Sequence, residues 1–178
     1  RRPIAIIYAC KPTIPFHMNI YYMNIILLKH GKKYTAKDVN RQAESLLKHA
    51  DYPIYCLTED STDVEIKCIP IPRKPKLQKW WNKLHVFRGD FALDGRCCLF
   101  DLDIGITSNP FPYIEEIDWR VPHFIEDYWK QSMWWNDHAY ETMLNSSVMA
   151  WDPGRNTEYW WWFEQNIDYN TRKYRGID

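Results

Sequence analysis

Only six glycines occur in the 178 residues, and this scarcity excludes the common nucleotide-binding loops. No segment fits G-x-G-x-x-G or G-x-x-x-x-G-K-[ST], the two glycine-rich loops that hold dinucleotides and nucleoside triphosphates. C-x-x-C is also missing, which argues against structural zinc. No apolar run reaches the roughly 20 residues of a membrane-spanning helix, and no secretory leader is recognisable. We therefore expect no transmembrane segment and a cytoplasmic protein.

A net charge is missing as well. The 23 Lys and Arg residues balance the 23 Asp and Glu residues, so the basic surplus of a nucleic-acid-binding protein is absent and no nucleic-acid partner is expected. The local exception is "PRKPKLQK", residues 72–79. We interpret this segment as a solvated loop, slightly ahead of a phosphate-binding role.

Aromatic residues, by contrast, are abundant, with ten tryptophans and twelve tyrosines. Most are expected in the core, but flat aromatic faces also stack on sugars and bases. A carbohydrate-binding module without catalytic activity is therefore one hypothesis. The histidines show no metal-ligand spacing and are expected to be ordinary hydrogen-bonded residues; they include His30, His85, His123 and His138.

Hydrophobic patterning predicts an α/β domain over residues 23–178. "MNIILLKHG" predicts a buried strand, and "TAKDVNRQAESLLKHA" a helix capped by Thr35 with Asp38 three residues on. The apolar positions of this helix are Val39, Ala43, Leu46, Leu47 and Ala50. Strands are predicted at "PIYCLTED", "VEIKCIPI", "VPHFIEDYW" and "NSSVMAW", and a helix at "TEYWWWFEQN". Strand, helix and strand in succession favour parallel pairing.

Three further segments are less regular. "KWWNKLHVFRGDF" predicts an α-helix with one apolar stripe, formed by Trp80, Leu84, Phe87 and Phe91, which leaves Trp81 free to rim a ligand cleft. "SNPFPYIEEI" predicts a proline-rich turn. Residues 1–22 are interpreted as either an extra strand or an expression-derived leader.

The stretch "CCLFDLDIGI" places Asp101 and Asp103 at the end of the most apolar strand. Alternation puts both carboxylates on one face, about 7 Å apart, at the strand end where open α/β sheets bind ligands. Unpaired buried carboxylates are costly, so a cation is expected there. Two oxygen ligands without nearby His or Cys suit Mn²⁺ or Mg²⁺ bridging to a diphosphate.

The same stretch also resembles the "FDLDGT" signature of haloacid-dehalogenase-type phosphohydrolases. That resemblance would make Asp101 a nucleophile and Asp103 an acid/base. Gly105 and Ile106 depart from the signature, and the late acidic pair of that family is missing. We rank this hypothesis second, ahead of the carbohydrate-binding module.

Six motifs in order resemble nucleotide-sugar glycosyltransferases of the GT-A fold, with the glycogenin-like group most similar. They are "GKKYTAKDVN", "CLTED", "KWWNKLHVF", "CLFDLDIGI", "NSSVMAWDPG" and "YRGID". The resemblance implies a mixed, mainly parallel, Rossmann-like sheet flanked by helices in a single domain. It also implies a nucleotide-sugar donor, with UDP-sugar favoured, and a glycan or other hydroxyl acceptor.

The resemblance further assigns residues. Asp101, Leu102 and Asp103 match the D-x-D that holds the metal ion on the donor diphosphate. The stretch "LLKHGKKY" matches the family's first strand and its loop, which implies donor contacts at Leu28, Lys29 and Tyr34. The other donor contacts that the resemblance implies are Lys83, Asn145, Ser146 and Ser147. Asp178 lies near the family's G-D-Q motif, and the family's third metal ligand, a histidine, falls beyond this terminus. An inverting enzyme would also need a carboxylate base, for which Glu126, Asp127 and Asp178 are candidates. A retaining enzyme would not.

Overall fold

Strands and helices alternate along the chain as expected of an α/β protein. The structure is a computed structural model that describes residues 23–126 and 144–174. The strands are β1 Met23–Lys29, β2 Ile54–Thr58, β3 Lys67–Pro70, β4 Arg96–Phe100, β5 His123–Glu126 and β6 Leu144–Trp151. The helices are α1 Ala36–Leu47, a 3₁₀ helix at Lys79–Phe87, α2 Phe111–Glu115, α3 Thr157–Glu164 and α4 Ile167–Lys173.

The six strands form one sheet in the order β3-β2-β1-β4-β6-β5. The first four are parallel, whereas β6 runs antiparallel to β4 and β5 antiparallel to β6. The predicted mixed, mainly parallel sheet is therefore confirmed. All seven residues of β1 are buried, since it lies between β2 and β4 with both faces covered. The carboxyl ends of the four parallel strands meet at one edge.

Both faces of the sheet carry helices, as predicted. Alternate residues of β1 point to opposite sides, so Ile26 packs beneath the 3₁₀ helix and α3, while Ile25 packs against α1 and α2. Among the described residues, no helix is long and apolar enough to cross a membrane.

Helix α1 begins as predicted. The Thr35 backbone N–H and Oγ both donate to Asp38 Oδ2, at 2.9 and 2.8 Å, and Thr35 Oγ caps the first turn in return. Val39 and Leu46 are buried, but Leu47, another of the apolar positions in the helical pattern, is 49% exposed. One residue beyond Leu46 is about 100° further around the helix and points away from the sheet.

The segment 79–87 is a 3₁₀ helix rather than an α-helix. Residues 81–87 are all buried, and Trp81, Leu84 and Phe87, one 3₁₀ turn apart from each other, are each less than 10% exposed. Trp80 is 41% exposed, so its predicted place in the apolar stripe was wrong. Trp81, predicted as a candidate for the cleft rim, instead stacks on Phe163 at 5.4 Å between ring centroids.

Two helices occur where no helix was predicted. Helix α2 lies within the predicted proline-rich turn, because Pro112 stands in the first helical turn, where its missing N–H costs nothing. Helix α4 begins at a cap in which Asn166 Oδ1 accepts from the backbone N–H of Tyr169. The proposed extra strand or leader at 1–22 lies outside the described residues.

Candidate active site

A cleft of about 1030 Å³ opens at the carboxyl ends of the parallel strands. The segments that follow β1, β2, β3 and β4 line it, because parallel strands deliver their carboxyl ends to one edge. Strand β4 ends at Phe100, so Asp101–Asp103 form a turn beyond the strand rather than its last residues. Both carboxylates nevertheless line the cleft, as predicted.

Asp101 is held by a buried lysine. Lys83, on the 3₁₀ helix and 6% exposed, donates from Nζ to Asp101 Oδ2 at 2.8 Å. The same ammonium group donates to the carbonyl of Ser146 at 2.9 Å and to its Oγ at 3.0 Å. Burial raises the pKa of Asp101 above its usual range, while Lys83 acts in the opposite direction. We call Lys83 and Asp101 the inner pair.

Asp103 stands at the exposed end of the cleft. Tyr34 donates its hydroxyl to Asp103 Oδ2 at 2.5 Å, and Lys33 Nζ donates to the same oxygen at 3.1 Å. The Tyr34 hydrogen bond, followed by Lys33, holds the pKa of Asp103 below its usual range. Lys33 also lies 4.5 Å above the Tyr34 ring, which keeps the three groups together. We call Lys33 and Asp103 the outer pair.

Strand β6 supports the D-x-D turn from beside β4. The backbone N–H of Asp101 donates to the Ser147 carbonyl at 2.8 Å, and the Ser147 N–H donates to Asn145 Oδ1 at 2.7 Å. Ser146 is 2% exposed and bonded to Lys83. Ser147 therefore bonds to Asp101 and Ser146 anchors the lysine, but none of the three predicted β6 residues lines the cleft itself.

The two β1 residues predicted as donor contacts point to opposite faces of the strand. Leu28 lines the cleft, whereas Lys29 points to the other face of the strand and is absent from the cleft lining. Lys29 Nζ donates to the Asp60 carbonyl at 2.8 Å and pairs with the Asp60 carboxylate at 3.7 Å. The turn that follows uses Gly31 at φ +65°, whose N–H donates to Glu59 Oε1 at 2.5 Å. Glu59 belongs to the quoted motif "CLTED", and it lines the cleft although no role was assigned to it from the sequence.

The basic segment 72–79 is largely an exposed loop, as expected, and it forms one wall of the cleft. Its cleft-lining cations are Arg73, Lys76 and Lys79, all exposed. With Lys32, Lys33 and Lys83 they make six Lys or Arg residues against three Asp or Glu residues. The sequence carried one indication of this position, because the segment follows a strand whose carboxyl end reaches the same sheet edge as β4.

The donor set for a metal ion consists of two carboxylates. Within 23–126 and 144–174 there is no group of three or more His, Cys, Asp or Glu residues that could hold a metal ion. Lys83 occupies Oδ2 of Asp101, and both Lys33 and Tyr34 occupy Oδ2 of Asp103. A carboxylate offers about four lone-pair positions, and Mg²⁺ commonly uses one or two carboxylates plus water and phosphate. The chemistry of the pair thus fits a cation shared with a diphosphate.

The candidate bases fall largely outside the described residues. Asp127 and Asp178 both lie outside them. Glu126 is exposed at the end of β5, the sheet's edge strand.

No protein-family model and no curated protein sequence matches this chain. Several solved structures, however, are similar to this chain. The galactosyltransferase LgtC, in complex with donor and acceptor sugar analogs, is similar with a TM-score of 0.54 at 14% identity, over 82% of this chain and 65% of that one. The apo form of glycosyltransferase GlyE from Streptococcus pneumoniae TIGR4 is similar with a TM-score of 0.50 at 14% identity, over 84% of this chain and 38% of that one. The bifunctional glycosyltransferase WbbM is similar with a TM-score of 0.52 at 8% identity, over 85% of this chain and 34% of that one.

The chain thus spans less than two thirds of the length of each of these proteins. At such low identity the likeness concerns the fold. Sheet order, flanking helices and these neighbours agree with the resemblance carried by the motifs. The chain has the GT-A glycosyltransferase fold.

Proposed function

We propose that this chain is a glycosyltransferase domain that moves a sugar from a nucleoside-diphosphate sugar, UDP-sugar in particular, to a hydroxyl group of a glycan acceptor. The observation that carries the proposal is the position of Asp101 and Asp103 in one cleft, at the carboxyl ends of β1 and β4, facing a wall of lysines and an arginine. The glycosyltransferase neighbours support the same class of reaction.

In this proposal Asp101 and Asp103 would hold Mn²⁺ or Mg²⁺, which when bound would supply positive charge to the departing diphosphate. Lys83 donates one hydrogen bond to Asp101 and is itself held by two to Ser146, so the Asp101 carboxylate needs little reorganisation when ligands arrive. Lys33 and Tyr34 orient Asp103. The exposed cations Lys32 and Arg73 add a positive potential that attracts the donor.

Cleavage of the sugar–phosphate bond leaves both bonding electrons on the diphosphate oxygen, and the acceptor hydroxyl supplies the new bond to the sugar. The acceptor proton must then move to a base. Glu126, Asp127 and Asp178 remain the proposed candidates for an inverting reaction. Free thiols at Cys56, Cys68, Cys97 and Cys98 support a reducing, cytoplasmic location as part of the proposal.

The test is calorimetric titration of UDP, UDP-glucose and GDP in the presence and absence of Mn²⁺. We expect metal-dependent binding that Asp103→Asn weakens by at least tenfold, because that exchange removes a negative charge while keeping the side chain's shape. Asp118→Asn is the matched control, since Asp118 is likewise exposed and paired with a basic neighbour, Arg120, but does not line the cleft. Water-proton relaxation measured with Mn²⁺ alone reports metal binding separately from nucleotide binding.

Three other outcomes would contradict the proposal. Nucleotide binding that ignores both metal and Asp103→Asn would remove the assigned role of the carboxylates. Phosphate release from simple monophosphates, abolished by Asp101→Asn, would favour the phosphohydrolase. Glycan binding without any nucleotide binding would favour the carbohydrate-binding module.

A further inference from the structure

A second cleft, of about 640 Å³, lies behind the basic wall of the first. Residues 76–80 line both clefts and therefore form a ridge between them, while α4 supplies the opposite side of the second cleft. Its volume falls in the range of about 300–1,000 Å³ that is usual for small-molecule sites. The proposed donor chemistry uses only the first cleft, which leaves the second without an assigned ligand.

The ridge is held in place by buried contacts. The side-chain amide of Asn82, 5% exposed, donates to the carbonyl of Lys79 at 2.9 Å and to that of Leu77 at 3.4 Å. Leu77 is 7% exposed and packs in the core beneath the ridge. A ligand would thus meet a preformed wall, which lowers the entropic cost of binding.

The charges of the second cleft favour an anion. Lys76, Lys79 and Arg172 line it against a single carboxylate, Asp168. Within the described part of the chain these three cations form no ion pair. Arg172 is oriented by its Nε–H, which donates to the Asp168 carbonyl at 2.8 Å and leaves the terminal nitrogens of the guanidinium group for a ligand. A planar guanidinium group is well suited to bind carboxylate or phosphate oxygens.

The same cleft offers an aromatic surface. Trp80 is 41% exposed on the ridge, with the Lys79 ammonium group 5.2 Å from the centre of its ring. An indole face packs well against the C–H groups of a sugar ring, and the neighbouring cation can bind an acidic substituent on that ring. Gln78 and Thr171 add hydrogen-bonding groups at the cleft wall.

We propose that the second cleft binds an anionic sugar, one that carries a carboxylate or a phosphate group, and that this sugar belongs to the acceptor. The acceptor role rests on the proposed function, because the shared ridge puts the occupant beside the donor cleft. The binding site itself does not depend on that function. It stands on three cations, an exposed indole and a fixed wall.

The test is NMR titration of the full chain with glucuronate, glucose 6-phosphate and glucose, observed at the indole N–H signal of Trp80, which Trp80→Phe identifies. We expect either anionic sugar to bind at least tenfold more tightly than glucose, and the stronger of the two identifies the acidic group. Arg172→Gln should weaken the anionic sugar roughly tenfold through the lost charge-assisted hydrogen bonds. Lys173→Gln is the matched control, because Lys173 is adjacent and exposed but lies over the Tyr169 and Tyr174 rings.

Several results would overturn the site: equal binding of glucose, no binding of any of the three sugars, or equal loss in both variants. Displacement of the anionic sugar by UDP with Mn²⁺ would place it in the first cleft and also overturn the proposal. If anionic sugars bind and depend on Arg172 while UDP fails to bind at all, the site stands and the glycosyltransferase function falls. If UDP binds but anionic sugars do not, the second site falls and the glycosyltransferase function stands.

Discussion

The inner and outer pairs are chemically alike, yet water reaches them very differently. The side chains of Lys83 and Asp101 are 7% and 24% exposed, whereas those of Lys33 and Asp103 are 71% and 53% exposed. Burial raises the pKa of Asp101, and hydrogen bonding lowers that of Asp103. The inner pair is therefore part of the folded core, whereas the outer pair can exchange its partners when a ligand arrives.

The largest effect is expected at the inner pair. Lys83→Met should lower the free energy of unfolding by about 3–5 kcal/mol, because it leaves the Asp101 carboxylate partly buried without its partner. Urea unfolding at pH 7 measures this loss. The double variant Lys83→Met with Asp101→Leu should recover much of it, since no charge then remains buried. A loss below 1 kcal/mol for the single variant would show that the inner pair resembles the outer one.

A second prediction concerns His85, which was expected to be an ordinary hydrogen-bonded histidine. Neither ring nitrogen has a hydrogen-bond partner in the described part of the chain, and the ring stacks on Trp160 at 5.3 Å. Burial, followed by the nearby Arg88, lowers the pKa of His85 to about 4, although Asp90 opposes this shift. Like Lys83, His85 belongs to the buried stretch of the 3₁₀ helix.

Between about pH 6.5 and pH 4 the unfolded chain therefore binds a proton at His85 that the folded chain does not bind. Stability should fall as the pH drops through that window, by an amount on the order of 3 kcal/mol. His85→Leu should remove this part of the pH dependence, as measured by urea unfolding at several pH values. An unchanged pH profile in the variant would contradict the assignment.

The two carboxylates should also titrate in a fixed order. As the pH falls, Asp101 should take up a proton before Asp103, because their pKa values are shifted in opposite directions. Carboxyl carbon chemical shifts measure both titrations in one sample. Tyr34→Phe should raise the pKa of Asp103 by removing its first hydrogen-bond donor and leave Asp101 unchanged. The reverse order of titration would refute the contrast between the pairs.

The smallest effect is expected at the outer lysine. Lys33→Met should change the free energy of unfolding by less than about 1 kcal/mol, because an exposed ion pair gains little in water. Chemical denaturation beside the Lys83→Met variant measures the contrast directly. Destabilisation of equal size in the two variants would remove the distinction.

Patterned segments allowed much of the fold to be predicted. The run of apolar residues in β1 and the Thr35 cap of α1 are local features, so their structures followed from neighbouring residues. The 3₁₀ geometry of residues 79–87 did not follow, since apolar residues in "KWWNKLHVF" fit a period of three as well as one of 3.6. Packing against Phe163 selected Trp81 over Trp80 for the buried face.

Two carboxylates at the end of an apolar strand could be predicted from the sequence, because strand pattern and residue order are local properties. The cation that each carboxylate contacts depends on the tertiary structure. Lys83 is 18 residues from Asp101, and Lys33 is 70 residues from Asp103. Such contacts arise where parallel strands bring distant segments to one edge, and their energies depend on burial, which no single segment contains.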